Sequence, residues 1–259
     1  MPTLQLALVQ KASGLDPAQN REALDVVRDL AAAGAELVVF PEVFSRDFGS
    51  PGSDVSEFAE KLDGPFVTRL AELADECGVT VVAGMFEVSE DPDRPYNTLA
   101  VVDRTGLRAS YRKIHLYDSF GYRESDRLHA GPLEPVTLDV GGVRVGLMTC
   151  YDLRFPELAR ALATQGAELL VVPAAWVAGP LKVDHWRTLV RARAIENTVY
   201  VAAAGQPAPR YSGHSMLVAP TGEVLGEAGE DDAVVTGTVD LDLLAEARSV
   251  NPSLANRRM

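Results

Sequence analysis

Apolar positions along this chain switch between a period of two and a period near 3.6, and the switches mark its elements. Thr3 to Val9 alternates as a strand. Asp16-Pro17 then supplies an N-cap and a first-turn proline for an amphipathic helix ending at Gly34. Leu37 to Phe40 reads as a short buried strand. Residues 66 to 76 place Phe66, Leu70, Leu73 and Ala74 at helical spacing, Gly78 stops that helix, and the β-rich run Val79 to Ala83 follows.

Thr98 to Val102 and Leu107 to Ile114 predict adjacent strands joined through Asp103-Arg104-Thr105-Gly106, which makes the sheet mixed. Val143 to Met148 is a buried strand, Phe155 to Gln165 a helix, Leu169 to Val172 a strand, Asp184 to Asn197 a long helix and Tyr200 to Ala204 a strand. Ser215 to Ala219, Glu223 to Leu225 and Ala233 to Val239 are β-rich, and a short helix starts at Asp240 before a polar tail. No repeat of 20 to 50 residues is visible, and no Pro/Gly/Ser linker divides the chain. The pattern predicts a layered α/β protein forming one domain over residues 1–259.

Composition narrows the function classes. A chain of 259 residues with 47% apolar and 24% charged side chains is an ordinary globular sequence, not a disulfide-stapled or disordered one. Its 24 basic and 37 acidic side chains give a net charge of −13, which repels phosphate backbones and anionic lipid. No apolar run reaches the roughly 18 to 20 residues of a membrane span. The N-terminal MPTLQLALVQ lacks a positive region before its apolar stretch and reads as a first strand, so the cytoplasm is the expected address. Two cysteines, Cys77 and Cys150, and four scattered histidines, His115, His129, His185 and His214, show no metal-ligand spacing. Neither a metal nor a nucleic-acid partner is expected.

Three polar residues interrupt or end buried runs, where burial is costly unless each is satisfied or used. Glu42 follows Leu37-Val38-Val39-Phe40-Pro41, at the end of a central strand where α/β proteins build sites; a solvated loop acid is the plain alternative. Lys113 lies in Ser110-Tyr111-Arg112-Lys113-Ile114-His115-Leu116, where alternation puts Tyr111, Lys113 and His115 on one face; a snorkelling surface lysine is its alternative. Cys150 ends the strand Val143 to Met148 just before a helix, a strand–turn–nucleophile–helix arrangement. Free backbone N–H groups at such a turn stabilise a thiolate or oxyanion, and a helix N-terminus is expected to lower the thiol pKa. Cys77, inside its helix, reads as inert. Glu124, in Gly121-Tyr122-Arg123-Glu124-Ser125, is by itself an ordinary loop acid.

Taken together, Phe40-Pro41-Glu42, Tyr111-Arg112-Lys113-Ile114-His115-Leu116 and Thr149-Cys150-Tyr151-Asp152-Leu153-Arg154-Phe155-Pro156-Glu157 closely resemble, in order and spacing, the nitrilase superfamily of carbon–nitrogen hydrolases. The resemblance continues through Arg191-Ala192-Arg193-Ala194-Ile195-Glu196-Asn197 and Gly213-His214-Ser215, and so covers nearly the whole chain. It implies a four-layer α-β-β-α sandwich with two mixed sheets covered by helices. It also implies a homodimer or higher homo-oligomer, with the tail from about 249 to 259 packing at the oligomer interface. By position, Glu42 would be the general base, Lys113 the oxyanion stabiliser and Cys150 the nucleophile, while Glu124 looks like the second glutamate that orients lysine and substrate. The backbone N–H of Tyr151 would join Lys113 at the oxyanion. No cofactor is implied.

Cys150-Tyr151-Asp152 differs from the Cys-Trp-Glu usual in true nitrilases and looks like the amidase side of the superfamily. The Tyr-Arg-Lys-Ile-His-Leu segment followed by Tyr117-Asp118 is most similar to relatives that cleave the terminal carboxamide of α-keto acid amides. Such a substrate carries a carboxylate and needs a local cation. Arg154, Lys182 and Arg210 are the candidates, with Trp176 and Tyr117 as pocket walls; ion pairing of Arg154 with Asp152 and Glu157, and a solvated Lys182, are the plain alternatives. An N-carbamoyl hydrolase, a nitrilase and a catalytically silent scaffold are the competing functions.

Overall fold

The computed structural model describes residues 1–258. Its first part runs β1 (Thr3–Gln10), α1 (Pro17–Ala23), α2 (Val26–Ala32), β2 (Leu37–Val39), α3 (Pro65–Cys77), β3 (Thr80–Glu87), β4 (Tyr96–Asp103) and β5 (Gly106–Arg112). A two-stranded ribbon, β6 (Asp118–Ser119) and β7 (Tyr122–Arg123), follows. The remainder runs β8 (Thr137–Val140), β9 (Val143–Leu147), α4 (Pro156–Thr164), β10 (Leu169–Ala174), α5 (Lys182–Asn197), β11 (Tyr200–Gly205), β12 (Met216–Val218), β13 (Val224–Glu227), β14 (Ala233–Asp240) and α6 (Leu241–Val250).

The strands form two six-stranded mixed sheets, ordered β14-β1-β2-β3-β4-β5 and β13-β12-β11-β10-β9-β8. Each has the same plan. Three parallel strands joined by helices (β1, β2, β3; β9, β10, β11) continue into an antiparallel meander on one side, and a further antiparallel strand closes the other. The architecture thus repeats where the sequence shows no repeat.

Period-two alternation sorts the core. Leu4, Leu6 and Leu8 of β1 point between the sheets, where they join Val145 and Leu147 of β9. Ala7 and Val9 point the other way, onto Leu24, Val27 and Leu30 and onto Phe66, Leu70 and Leu73 of α3. Helices α4 and α5 cover the outer face of the second sheet through Leu158, Leu162, Trp186 and Val190. The layers are therefore α-β-β-α, as the resemblance implies.

The expected helix from Asp16 to Gly34 is two helices. At Leu24 and Asp25 the backbone tightens to bonds with carbonyls three residues back, at Arg21 and Glu22. Asp25, a weak interior helix former, instead accepts from Arg69 of α3 at 2.6 Å and lies 3.0 Å from Arg28. Strand β5 stops at Arg112, short of the expected Ile114. Beyond α6 the tail folds back on its own chain: Ser253 Oγ lies 3.4 Å from Thr198 Oγ1, and Arg257 donates to Thr164 Oγ1 at 3.0 Å. Residue 259, the end of the expected interface tail, lies outside the described residues. Among those residues no helix is long and apolar enough to cross a membrane.

Two glycines let loops press against the first sheet. A Cβ on Gly84 of β3 would lie 2.2 Å from Val43 N and 2.8 Å from Glu42 Cα, and one on Gly131 would lie 2.2 Å from Arg112 O. Gly84 N donates to Pro41 O and Gly84 O accepts from Ser45 N, so this strand holds the loop carrying Glu42. Replacing Gly84 by Ala is expected to destabilise the protein by about 2 kcal/mol and lower its melting temperature by about 4–8 °C. Calorimetry of the variant checks this, and an unchanged melting temperature would show that the loop yields freely.

Candidate active site

The C-terminal ends of β2, β9, β10 and β11 converge around Glu42, the position at which open parallel sheets present loops to a ligand. Glu42 lies just beyond β2 and is 1% exposed. Its Oε1 accepts from Lys113 Nζ at 2.9 Å and Asn97 Nδ2 at 2.7 Å, and its Oε2 accepts from Ala175 N, beyond β10, at 2.6 Å. Gln206, beyond β11, donates to the Glu42 carbonyl at 3.0 Å.

Lys113 is the first residue past β5, its N–H bonded to Asn97 O and its carbonyl accepting from Gly131 N. Its ammonium lies between two carboxylates, donating to Glu42 and, at 2.9 and 3.2 Å, to both oxygens of Glu124. Glu124 opens a short 3-10 turn after β7, and its Oε2 also accepts from Tyr117 N at 2.5 Å. The expected shared face of Tyr111, Lys113 and His115 does not form, because the strand ends before Lys113. Tyr111 Oη donates to Asp152 at 2.6 Å and His115 Nδ1 lies 2.7 Å from the same carboxylate, away from the Lys113 partners.

Cys150 follows β9 and begins a 3-10 turn over Cys150–Arg154, with φ at +46°. That left-handed value is uncommon for a residue with a side chain and is typical of a nucleophile held on a sharp turn. Asp152, fully buried, fixes the turn by accepting from Thr149 N at 2.9 Å while it holds Tyr111 and His115. From the later motif, Arg193 donates to Leu153 O at 2.7 and 3.0 Å and so supports the far end of the same turn.

Residues 5–249 match the family model described as carbon-nitrogen hydrolase. The chain belongs to the carbon–nitrogen hydrolase family. It is 41% identical to the deaminated glutathione amidase of Escherichia coli O157:H7, over 90% of each chain. It is 38% identical to the omega-amidase NIT2 of Homo sapiens, over 100% of this chain and 96% of that protein. Its fold superposes with a TM-score of 0.90 on a Xanthomonas campestris CN-hydrolase superfamily protein whose crystal structure has an arsenic adduct in the active site. That match has 30% identity and covers 100% of this chain and 98% of that one.

In this hydrolase the charges act against burial. Desolvation works to strip the Lys113 proton, but Glu124 and Glu42 outweigh it and hold the ammonium well above the ordinary lysine range. Burial pushes the Glu124 carboxyl up, Lys113 pulls it down and Glu42 pushes it further up. The Cys150 thiol is raised well above its ordinary value, first by burial and then by the Glu42 charge, with Lys113 opposing. This corrects the expected lowering: the helical turn starts at the cysteine, and burial beside an acid outweighs its dipole. Among the described residues no cluster of His, Cys, Asp or Glu is arranged to hold a metal.

The wall residues divide. Trp176 is buried and donates from Nε1 to Lys182 O at 2.9 Å, and Tyr151 stands edge-on to Tyr117 at 5.0 Å. Arg154 makes no ion pair with Asp152 or Glu157; its guanidinium lies over Trp176 at 4.9 Å and Nη2 is 3.4 Å from His185 Nδ1. Arg210 is neutralised by Asp47 at 2.5 Å. Sequence reading missed Asn97, which spans Glu42 and Glu124, and Asp152. The available signal for Asn97 was an amide in β4 just ahead of the apolar run Leu99 to Val102.

Because Cys150 is held as a neutral thiol, thiolate absorbance at 240 nm is expected to stay absent from pH 7 to 9 when wild type is compared with Cys150→Ser. A transition below pH 8 would mean that the site itself ionises the thiol.

Proposed function

We propose that this hydrolase is a cysteine-dependent amidase that cleaves the terminal carboxamide of a small carboxylic or α-keto acid. The observation that carries the reading is the buried Glu42–Lys113–Glu124 array facing a thiol on a strained turn. An amide carbonyl is a poor electrophile, and a thioester splits one hard step into two. Glu42 takes the Cys150 proton as Sγ attacks the carbonyl carbon. Removing the proton to Glu42 leaves the net charge of the buried array unchanged, which suits a thiol that does not ionise alone. The oxyanion is received by Lys113 Nζ and the Tyr151 N–H, each donor worth about 3 kcal/mol at such a position. Glu42 then returns the proton to the amide nitrogen, ammonia leaves, and the acyl group stays on Sγ. Water gives a proton to Glu42 and attacks the thioester, releasing the acid and restoring the thiol. Glu124 positions Lys113 throughout.

The names of the amidase relatives support the substrate class, and the two uncommitted cations beside Tyr117 and Trp176 suit a substrate carboxylate. We further propose a cytoplasmic setting, where a free thiol stays reduced, and a homo-oligomer built on one domain with the C-terminal tail at its interface. A groove of about 510 Å³ lined by Ile195, Tyr200, Ala219, Leu225, Leu243 and Val250 supports the assembly. Val250 is 80% exposed in the single chain.

Product release from α-ketoglutaramate, α-ketosuccinamate, deaminated glutathione, an N-carbamoyl amino acid and a simple nitrile tests the reading. Turnover of a keto-acid amide is expected, and Cys150→Ala is expected to lower it by about 10⁴-fold or more with the fold intact. Residual activity within tenfold of wild type overturns the mechanism, and turnover of the carbamoyl compound or nitrile alone overturns the substrate class.

A further inference from the structure

Glu42 and Glu124 differ in how many protein donors reach them. A carboxylate offers about four lone-pair sites, two on each oxygen. Glu124 has a donor for each. Its Oε1 accepts from Lys113 Nζ at 3.2 Å and Asn97 Nδ2 at 3.5 Å, and its Oε2 accepts from Lys113 Nζ at 2.9 Å and Tyr117 N at 2.5 Å. Glu42 is less evenly served. Its Oε1 accepts from Lys113 Nζ at 2.9 Å and Asn97 Nδ2 at 2.7 Å, whereas among the described residues its Oε2 accepts only from Ala175 N, at 2.6 Å. A proton arriving at Glu42 therefore finds both sites of Oε1 claimed by N–H donors and one site of Oε2 open to it.

Asn97 creates this asymmetry. It lies in β4, fully buried, with its amide nitrogen between the two carboxylates and its backbone carbonyl accepting from Lys113 N at 2.8 Å. One residue thus touches all three charged members of the array. The Asn97 Oδ1 is buried and has no hydrogen-bond partner in the protein, so the amide is turned to serve the carboxylates while its own oxygen goes unpaired. The opposite orientation would set Oδ1 against Glu42 Oε1, acceptor against acceptor. Lysine or arginine at this position would also donate, but each would add a charge to the array. An amide supplies the donor and leaves that charge unaltered.

We infer that Asn97 is a positioning residue: with Lys113 it fills Oε1 of Glu42 and so confines the transferred proton to Oε2. This deepens the amidase reading and rests on it. As Sγ bonds to the carbonyl carbon, the S–H bond breaks, its proton passes to Oε2 and the carbonyl π pair moves onto oxygen. When that pair re-forms the C=O bond, the amide nitrogen takes the proton from Oε2, the C–N bond breaks and ammonia leaves. A proton on Oε1 would instead set an O–H against the Lys113 ammonium and loosen the contact that places it.

Two variants of similar shape test this by steady-state kinetics from pH 6 to 9, on whichever of α-ketoglutaramate and α-ketosuccinamate wild type hydrolyses faster. Asn97→Leu removes the donor; it is expected to lower kcat by about 30- to 100-fold and to leave KM within about threefold. Asn97→Asp donates only while its introduced carboxyl is protonated, a form that burial beside two carboxylates favours. With each kcat taken relative to wild type, Asn97→Asp is expected to exceed Asn97→Leu by about tenfold or more at pH 6 and to lose that advantage by pH 9, while Asn97→Leu stays level. Equal losses in both variants at every pH, a loss confined to KM, or no loss in Asn97→Leu overturns the inference while the amidase reading stands. A wild-type enzyme that hydrolyses neither amide overturns the substrate reading and the inference with it. Should Asn97→Leu fold poorly, Asn97→Asp is compared with wild type alone. A relative kcat that falls about tenfold or more between pH 6 and pH 9 supports the inference, and a profile parallel to wild type overturns it.

Discussion

The site depends on one buried ammonium. An isolated lysine at 2% exposure would surrender its proton, since the desolvation of an ion in a protein interior amounts to several kcal/mol even after relaxation. Lys113 keeps it because two carboxylates from separate segments close on it, and each carboxylate in turn depends on a backbone N–H, from Ala175 for Glu42 and from Tyr117 for Glu124. Removing the lysine leaves two buried carboxylates facing each other uncompensated, and removing either glutamate takes away one of the two charges that hold the lysine's proton. Interdependence of this kind fixes the end of β2, the end of β5, the loop after β7 and the start of the wall beyond β10 with respect to one another.

The repeated sheet plan explains where those segments come from. Glu42, Lys113 and Glu124 belong to the first sheet and the ribbon after it, whereas Cys150, the Ala175 N–H and the Gln206 amide belong to the second. Each half contributes loops at the C-terminal ends of its parallel strands, and packing of the sheets through Leu4, Leu6 and Leu8 brings the two sets together. Cys150 and Glu42 therefore meet across a layer boundary, where a sub-ångström change in sheet packing alters their separation.

Much of this was legible in the sequence, for identifiable reasons. Period-two alternation located β1, buried apolar runs located β9 and β11, and motif order located Glu42, Lys113 and Cys150, because each interrupts or ends such a run. The relation of Lys113 to Tyr111 and His115 was misread because alternation carries no information about where a strand ends; β5 ends one residue before the lysine. The break at Leu24-Asp25 depends on Arg69 of another helix. Asn97 and Asp152 act across 27 to 55 residues of chain, through register that a single sequence does not display. The direction of the Cys150 shift was misjudged for the same reason, since the acid beside it comes from another sheet.

One pairing bears on how the molecule is made. Strand β14 lies antiparallel to β1 from Thr3↔Asp240 to Gln10↔Ala233, so the first of the described strands obtains its outer neighbour from the last. During translation the edge of β1, with its row of unpaired amides, stays open until residues 233–240 leave the ribosome. Until then the nascent chain carries a sticky edge that only residues 233–240 cover.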